Sequence, residues 1–371
     1  MFQKAKLPLN IAAAFVPRKL KDKVRASAWK YGNLHDARKV FREAMRIART
    51  REEKLRLLKK HLKIIAFECF SYCNRKCWFC ENSRIDRYSF NQYLPEETFL
   101  RVLDTLAEIE YEGNVSWAQF NEPLADVEVT LKRVRQARKH LPKAFFFMFT
   151  NSDYLSKEVM YELDAAGCNF LAPQCYRSRE TPYDIEKNVK PQVEAMLGKL
   201  GIAVGDTEER WAFMHSFSRQ YFLPTGKKML VCVICPNWDV IGMSRGSIAD
   251  VFAAPLDRRE PCQMPLYRLH VTYTGEVMPC GEFRIDAENA RQFVIGDANV
   301  QPLEDIFCCE KAVKFRRHLM RYGAKCVPCN RCKGGIEADF TKTACLQAYS
   351  DFLCRQEAAR QGGGGGQPTG P

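Results

Sequence analysis

The sequence predicts an α/β fold built on a parallel sheet, and three observations carry that prediction. From residue 63 onward, short apolar runs alternate with amphipathic segments at the pitch of βαβ units. The run Ala144-Phe145-Phe146-Phe147-Met148-Phe149-Thr150 is apolar at almost every position, as a strand covered on both faces requires. A loop rich in cysteine leaves the first apolar run directly, which is where parallel barrels place their chemistry.

Each element follows from local chemistry. Residues 20–28 and 34–62 show helical spacing, with Val40, Phe41, Ala44, Ile47, Leu55, Leu57, Leu58 and Leu62 set among basic positions. Residues 63–69 form the first predicted strand. Pro95-Glu96-Glu97 opens a helix, because proline and acids suit a first turn, and Leu100, Val102, Leu103, Leu106 and Ile109 give its apolar stripe. Residues 114–120 make a second strand, 127–141 a basic amphipathic helix, and 144–150 a third strand. Ser156 caps a helix that ends at Gly167; residues 168–176 and 228–235 supply further strands. Near Ile248 the alternation stops. Residues 269–278 then read as a hairpin around Thr274-Gly275, followed by a helix over 302–321. The run Gly362 to Gly366 lies in a tail, 351–371, that cannot build a core.

Composition narrows the function. The chain has 371 residues, enough for a barrel and an accessory module. No stretch is long and apolar enough to span a bilayer, and Pro17 with a basic segment follows the short apolar patch near the N-terminus instead of a signal cleavage site. Its 17 cysteines come in short-spaced groups, which suits metal binding in a reducing compartment better than disulfides, so a cytoplasmic protein is expected. The net charge of +13 is confined: residues 1–67 hold 19 Lys and Arg against 5 Asp and Glu, leaving 38 against 39 elsewhere. A solvated helical face, an acidic partner protein, an anionic membrane surface and a nucleic acid compete for this basic arm, nucleic acid being the lesser option for want of a stacking platform.

The most informative motif is Cys73-x3-Cys77-x2-Cys80. Three thiolates can hold three irons of a cubane and leave the fourth open to a reacting molecule, whereas a closed cluster uses four cysteines. Zinc wants four ligands, usually as paired short knuckles, and no His or Cys follows Cys80 closely enough. Cys69, inside the predicted strand, reads as a packing residue. The spacing, the aromatic Phe79 before the last cysteine and the apolar run before the loop resemble the radical S-adenosylmethionine (SAM) superfamily. The resemblance implies a partial (β/α)6 TIM-type barrel over residues 63–250, a [4Fe-4S] cluster on Cys73, Cys77 and Cys80, and SAM held on the open iron and cleaved to a 5′-deoxyadenosyl radical. It also implies a flavodoxin or ferredoxin-type reductant.

Further segments resemble the SAM-binding motifs of that family. Gln119-Phe120-Asn121-Glu122-Pro123-Leu124 stands where the Gly-Gly-Glu-Pro motif is expected, with Glu122 able to meet the SAM ammonium and the backbone of Phe120 and Asn121 beside it. Pro123 stiffens the turn. Thr150-Asn151-Ser152 resembles Thr-Asn-Gly, placing Asn151 and Ser152 near the ribose; Gln174, at the end of the fourth strand, faces ribose or substrate. Phe79 is expected on the adenine. Each has a plainer reading as a turn or cap residue.

The C-terminal region, residues 251–350, carries Cys262-x17-Cys280 and Cys326-x2-Cys329-x2-Cys332. This resembles the SPASM/twitch accessory domain, the short twitch form of the aminocyclitol dehydrogenases especially. The resemblance implies one auxiliary [4Fe-4S] cluster on Cys262, Cys280, Cys326 and Cys329, with Cys332 able to replace either of the last two. A zinc knuckle of Cys326, Cys329, Cys332 and Cys345 is the structural alternative. Cys232 and Cys235, three apart on a strand, point to opposite faces. The expected architecture is thus a basic helical extension over 1–62, a partial barrel, a small hairpin-plus-helix cluster module and a tail.

An open and a closed cluster together imply a dehydrogenase-like oxidation of a small polar, sugar-like substrate, with the auxiliary cluster as electron acceptor; dehydration or epimerisation fits the same residues. Arg245, as far before Cys262 as an active-site Arg in the twitch dehydrogenases, and Glu282, just after Cys280, are the candidate catalytic residues. Peptide maturation by a SPASM enzyme, and a non-catalytic iron-sulfur or zinc scaffold with a basic docking arm, are the competing classes.

Overall fold

The computed structural model describes residues 38–212, 216–225, 229–239, 258–288, 290–332, 345–351 and 353–354. Among them, one sheet contains β1 (Ile64–Phe67), β2 (Asn114–Ser116), β3 (Phe145–Thr150), β4 (Phe170–Pro173), β5 (Glu208–Ala212), β6 (Ser216–Phe222), β7 (Leu230–Cys235), β8 (Arg268–Val271), β9 (Glu276–Met278) and β10 (Gly296–Asp297). The spatial order is β10-β9-β8-β1-β2-β3-β4-β7-β6-β5. The central strands β8, β1, β2, β3, β4 and β7 pair in parallel, and the flanks on both sides are antiparallel. The helices are α1 (Arg51–His61), α2 (Glu96–Glu108), α3 (Val127–His140), α4 (Lys157–Ala166), α5 (Lys190–Lys199), the single turn α6 (Met264–Tyr267), α7 (Leu303–Cys308) and α8 (Glu310–Leu319).

The two faces of the sheet are covered differently. Ile65, Phe67, Val115, Phe146, Met148, Leu171, Val231 and Val233 pack against the apolar stripes of the helices, including Phe99, Leu103 and Leu106 of α2 and Leu163 of α4. On the inner face, Ile64, Phe145, Phe147, Phe170, Leu230 and Cys232 meet Phe41, Ala44, Leu266, Tyr267, Met320 and Cys345. The all-apolar run of β3 is therefore a strand buried on both sides, as its sequence predicts. Cys232 and Cys235 fall on opposite faces for the same reason of period two.

The helices start and stop where their caps dictate. The side chain of Thr50 accepts from the Glu53 amide at 3.2 Å, Asp126 from Val129 at 3.1 Å and Ser156 from Val159 at 3.2 Å. In the β8–β9 hairpin Gly275 has φ +86°, a left-handed turn conformation for which glycine carries no Cβ penalty.

Several expectations need correction. The strands are shorter than predicted, because the polar segments beyond Phe67, Ser116 and Pro173 leave the sheet and become the loops of the site. The helical spacing over 34–62 is broken: a 3-10 turn at Glu43–Met45 is followed by a new helix at Arg51. Its basic residues are also committed, since Arg51 pairs with Glu108, Lys54 with Asp305, Arg56 and Lys60 with Glu43, and Lys59 with Glu110. These exposed ion pairs tie the helix to Glu43 of the preceding turn and to Glu108, Glu110 and Asp305 of the body. The rest of the expected basic arm, residues 1–37, lies outside the described residues. The single helix predicted over 302–321 is two, α7 and α8, divided at Cys309, whose extended ψ of 155° breaks the ladder while its sulfur accepts from the Ala312 amide at 3.3 Å. The ribbon β5–β6 and helix α5 have no counterpart in the sequence reading. Residues 345–351 are helical, with Cys345 and Tyr349 packed into the inner face, and the helix at 351, 353 and 354 runs into the expected tail. Most of 351–371 lies outside the described residues.

Candidate active site and cluster sites

The parallel strands deliver their C-terminal loops to one rim, and the cysteine loop follows β1 there. Cys73 is buried and Cys77 half-buried, and desolvation, with the neighbouring cysteines adding to it, pushes their thiols up to about 11 and about 12. Each feels the charge of Cys80, so the three sulfurs share one locality. The loop is tightly turned: the Cys80 amide donates to the Cys77 carbonyl at 2.9 Å, and Ser83 to Cys80 at 3.0 Å. Cys69 stays in the core, buried among apolar side chains with its thiol pushed up to about 12, as a packing residue.

The loop after β2 places Glu122 under β3. Its carboxylate accepts from the Leu124 amide at 3.0 Å, the Thr150 hydroxyl at 2.6 Å and the Asn151 amide at 2.7 Å. Burial nevertheless pushes it up to about 7, against the pull of those bonds. The Glu122 and Asn151 motifs are therefore one unit. Asn151 reaches on to Asn74 of the cysteine loop at 2.8 Å, and Asn74 and Arg75 both hold Asp153 at 2.7 Å. Ser152, where the related motif has glycine, takes φ +70°, a left-handed conformation uncommon outside glycine. Pro123 lends its carbonyl to the Thr130 hydroxyl, which anchors the turn to α3. The Asn121 side-chain Nδ2 is buried beside this cradle without a hydrogen-bond partner among the described residues.

Phe79 sits in an aromatic cluster. It stacks on Trp238 with ring centroids 4.0 Å apart and an interplanar angle of 6°, and meets Tyr176 edge-on at 4.9 Å. Tyr176 in turn donates to Gln174. Trp238 and Tyr176, which pack around Phe79, were not singled out by the sequence reading. Both follow ends of parallel strands, β7 and β4, and that position was the available signal.

The second group assembles from distant segments. Cys262, Cys280 and Cys329 lie in one small core with Tyr273, Met278, Phe283, Ile285 and Leu319. Cys329 bonds to Cys326 and feels the charge of Cys262 and Cys280; burial raises Cys262 and Cys280, while the Cys329 contact draws Cys326 down to about 7. Four thiols thus converge. Cys332 follows one turn later, its amide donating to the Cys329 carbonyl at 3.3 Å. Cys345 instead lies in the inner-face core beside Cys232, which removes it from the zinc-knuckle alternative. Glu282 donates its amide to Cys280, and its buried Oε2 has no hydrogen-bond partner among the described residues. Arg245 lies outside the described residues.

The two groups adjoin. Gln119 of the β2 loop donates to the Gly281 carbonyl, and a Cβ on Gly281 would come within 2.7 Å of the end of the Gln119 side chain, which would have to shift. The donor sets are of the kind iron-sulfur clusters use: thiols only, three on one loop, and three in one core with the exposed Cys326 against Cys329. The unpartnered Asn121 amide and the buried Glu122 carboxylate fit a ligand that brings both a carboxylate and an ammonium.

Comparison with known proteins agrees with this geometry. Residues 67–174 match the Radical SAM superfamily, and residues 262–333 match the SPASM iron-sulfur cluster-binding domain. An S-adenosyl-L-methionine-dependent 2-deoxy-scyllo-inosamine dehydrogenase from Niallia circulans is 24% identical over 260 residues, covering 70% of this chain and 88% of that protein. The crystal structure of BtrN in complex with AdoMet and 2-DOIA is 20% identical, with a TM-score of 0.52, covering 76% of this chain and 95% of that one. The likeness to BtrN establishes a shared fold.

Proposed function

From a chain that carries a radical SAM domain followed by a SPASM domain, and so is a radical SAM enzyme with a SAM-binding [4Fe-4S] cluster and an auxiliary iron-sulfur site, we propose a dehydrogenase for a small, polar, sugar-like alcohol. Cys73, Cys77 and Cys80 would hold the first cluster, and Cys262, Cys280, Cys326 and Cys329 the auxiliary one, with Cys332 at its margin. When bound, SAM and its cluster supply a 5′-deoxyadenosyl radical that removes one hydrogen atom from carbon, and the auxiliary cluster supplies a one-electron acceptor.

The chain's own groups do the rest. Glu122 holds the SAM ammonium by a charge-assisted bond, and Asn121 and Asn151 lie beside it to orient the bound molecule. Phe79, fixed by Trp238 and Tyr176, supplies an aromatic wall for the adenine; Gln174 and Ser152 line the side of the ribose. Glu282 accepts the hydroxyl proton, completing the loss of one hydrogen atom, one proton and one electron that turns CH–OH into C=O. Arg245 is assigned to the substrate oxygen. A reducing flavodoxin or ferredoxin-type protein supplies the electron that starts each turnover, in the cytoplasm.

The unpartnered Oε2 of Glu282 carries this reading. It is an acceptor at the auxiliary site, one residue from the Gln119–Gly281 contact with the SAM loop. The likeness to the inosamine dehydrogenase supports an aminocyclitol as the first substrate to try. Anaerobically loaded protein should hold about eight irons, and with dithionite and SAM it should release 5′-deoxyadenosine. An aminocyclitol panel should accelerate that release and yield a ketone in equal amount. Release that no polyol or aminocyclitol accelerates would overturn the substrate class.

A further inference from the structure

A buried ionic network runs between the auxiliary module and the cysteine loop, and it ends on a single cluster ligand. Arg87 is fully buried. Its guanidinium donates to Glu68 at 3.2 Å, to the Ser71 carbonyl at 3.0 Å and to Asp286, and it lies 4.6 Å from the Tyr273 ring centroid. Its own carbonyl accepts the Cys73 amide at 2.8 Å. Asp286 also receives a two-point contact from Arg284, at 2.7 and 2.8 Å. Arg284 then donates to Asn82 at 2.8 Å, and Asn82 bonds to the Cys73 sulfur and, at 2.9 Å, to the Phe120 carbonyl. Glu68 closes the frame by accepting from the Phe120 amide at 3.2 Å and facing His270 of β8 at 3.4 Å.

Two arms thus start at Asp286, six residues beyond Cys280, and both finish at Cys73. One holds its backbone and the other its sulfur. A buried ion pair adds little net stability over an apolar replacement, because desolvation offsets the attraction. What it adds is direction: forked donors and two-oxygen acceptors fix relative position in a way that greasy contacts do not. The Arg284 guanidinium also lies 5.0 Å from the Phe120 ring, so the SAM-motif loop is clamped from the same side.

We propose that Asp286 is a positioning residue through which the auxiliary module sets the placement of Cys73, and with it the open iron, relative to the SAM cradle. The inference rests on the proposed cluster assignment for its chemical meaning, but not for the mechanical link itself.

The experiment uses the cluster-loaded full-length chain and two variants, D286N and R284K. D286N removes the charge that gathers both arms; R284K keeps a cation but loses the guanidinium that joins Asp286 to Asn82. Amide hydrogen exchange of the peptide containing Cys73 should quicken about tenfold in D286N, and less in R284K. The electron paramagnetic resonance spectrum of the reduced protein should lose part of the change that SAM produces in the wild type. D164N serves as control. Asp164 is buried on the helix-covered side and accepts from Thr225 at 2.6 Å and Met229 at 3.2 Å, so its loss should lower the melting temperature without touching the Cys73 peptide. If D286N and R284K melt early while Cys73 exchange and the SAM-dependent spectrum stay as in the wild type, the role is structural only and the proposal fails. A wild-type spectrum indifferent to SAM would sink the proposed function instead, while hydrogen exchange still decides the link.

Discussion

The two cysteine groups are built in opposite ways. Cys73, Cys77 and Cys80 are neighbours in sequence on one loop, yet what holds that loop comes from far away: Asn151 and Asp153 after β3, Trp238 after β7, Arg284 and Asp286 in the auxiliary module. Cys262, Cys280 and the Cys326–Cys329 pair are distant from one another in sequence, yet Cys262, Cys280 and Cys329 share a small apolar core made by the same hairpin and helix that bring them. The first site is local in ligands and global in support; the second is the reverse. Ligands that share a loop depend on the rest of the chain for aim, whereas ligands gathered by a core are aimed by the act of folding.

Substitution of the ligands breaks the comparison most severely. Replacing Cys73, Cys77 and Cys80 together by Ala should abolish 5′-deoxyadenosine release and remove about half of the iron, as measured by iron analysis and chromatography. Replacing Cys280 by Ala should also remove about half of the iron but spare SAM cleavage, because the open iron is on the other site. Full iron in either variant would show that the groups are not separate sites.

A smaller effect concerns Glu122. Its folded pKa is raised from 4.5 to about 7 by burial, so its contribution to stability is fully present below 4.5 and is lost as pH rises towards 7. A SAM ammonium favours the ionised form, so the Kd for SAM should fall as pH rises through about 7, read by equilibrium binding. In E122Q that pH dependence should vanish and binding should weaken about tenfold or more. A pH-independent Kd in the wild type would remove Glu122 from the ammonium site.

Much of this was legible in the sequence because its signals are short-range. The period of β3, the cap at Ser156, the Cys73–Cys80 spacing and the hairpin at Gly275 are each decided within a few residues. The ribbon β5–β6 was not, since it alternates polar residues such as Arg219 and Gln220 at a sheet flank, where propensity is weak and pairing decides. Nor was the break at Cys309, where a thiol caps a helix in place of a hydroxyl. Asp286, Arg87 and Arg284 read as ordinary surface charges in a charged chain. Only the fold shows that they are buried together, because their partners lie about two hundred residues apart along the chain.

The parallel pairing of β8 with β1 has a consequence for how the protein is made. During synthesis β1, β2, β3, β4 and β7 leave the ribosome before β8 does, so one side of β1 has its hydrogen-bonding groups open until the auxiliary module arrives. An uncovered strand edge is a template for association with other chains. The late module therefore acts as a lid on the nascent barrel as well as a cluster carrier, and a shortened chain that lacked it would carry that open edge permanently.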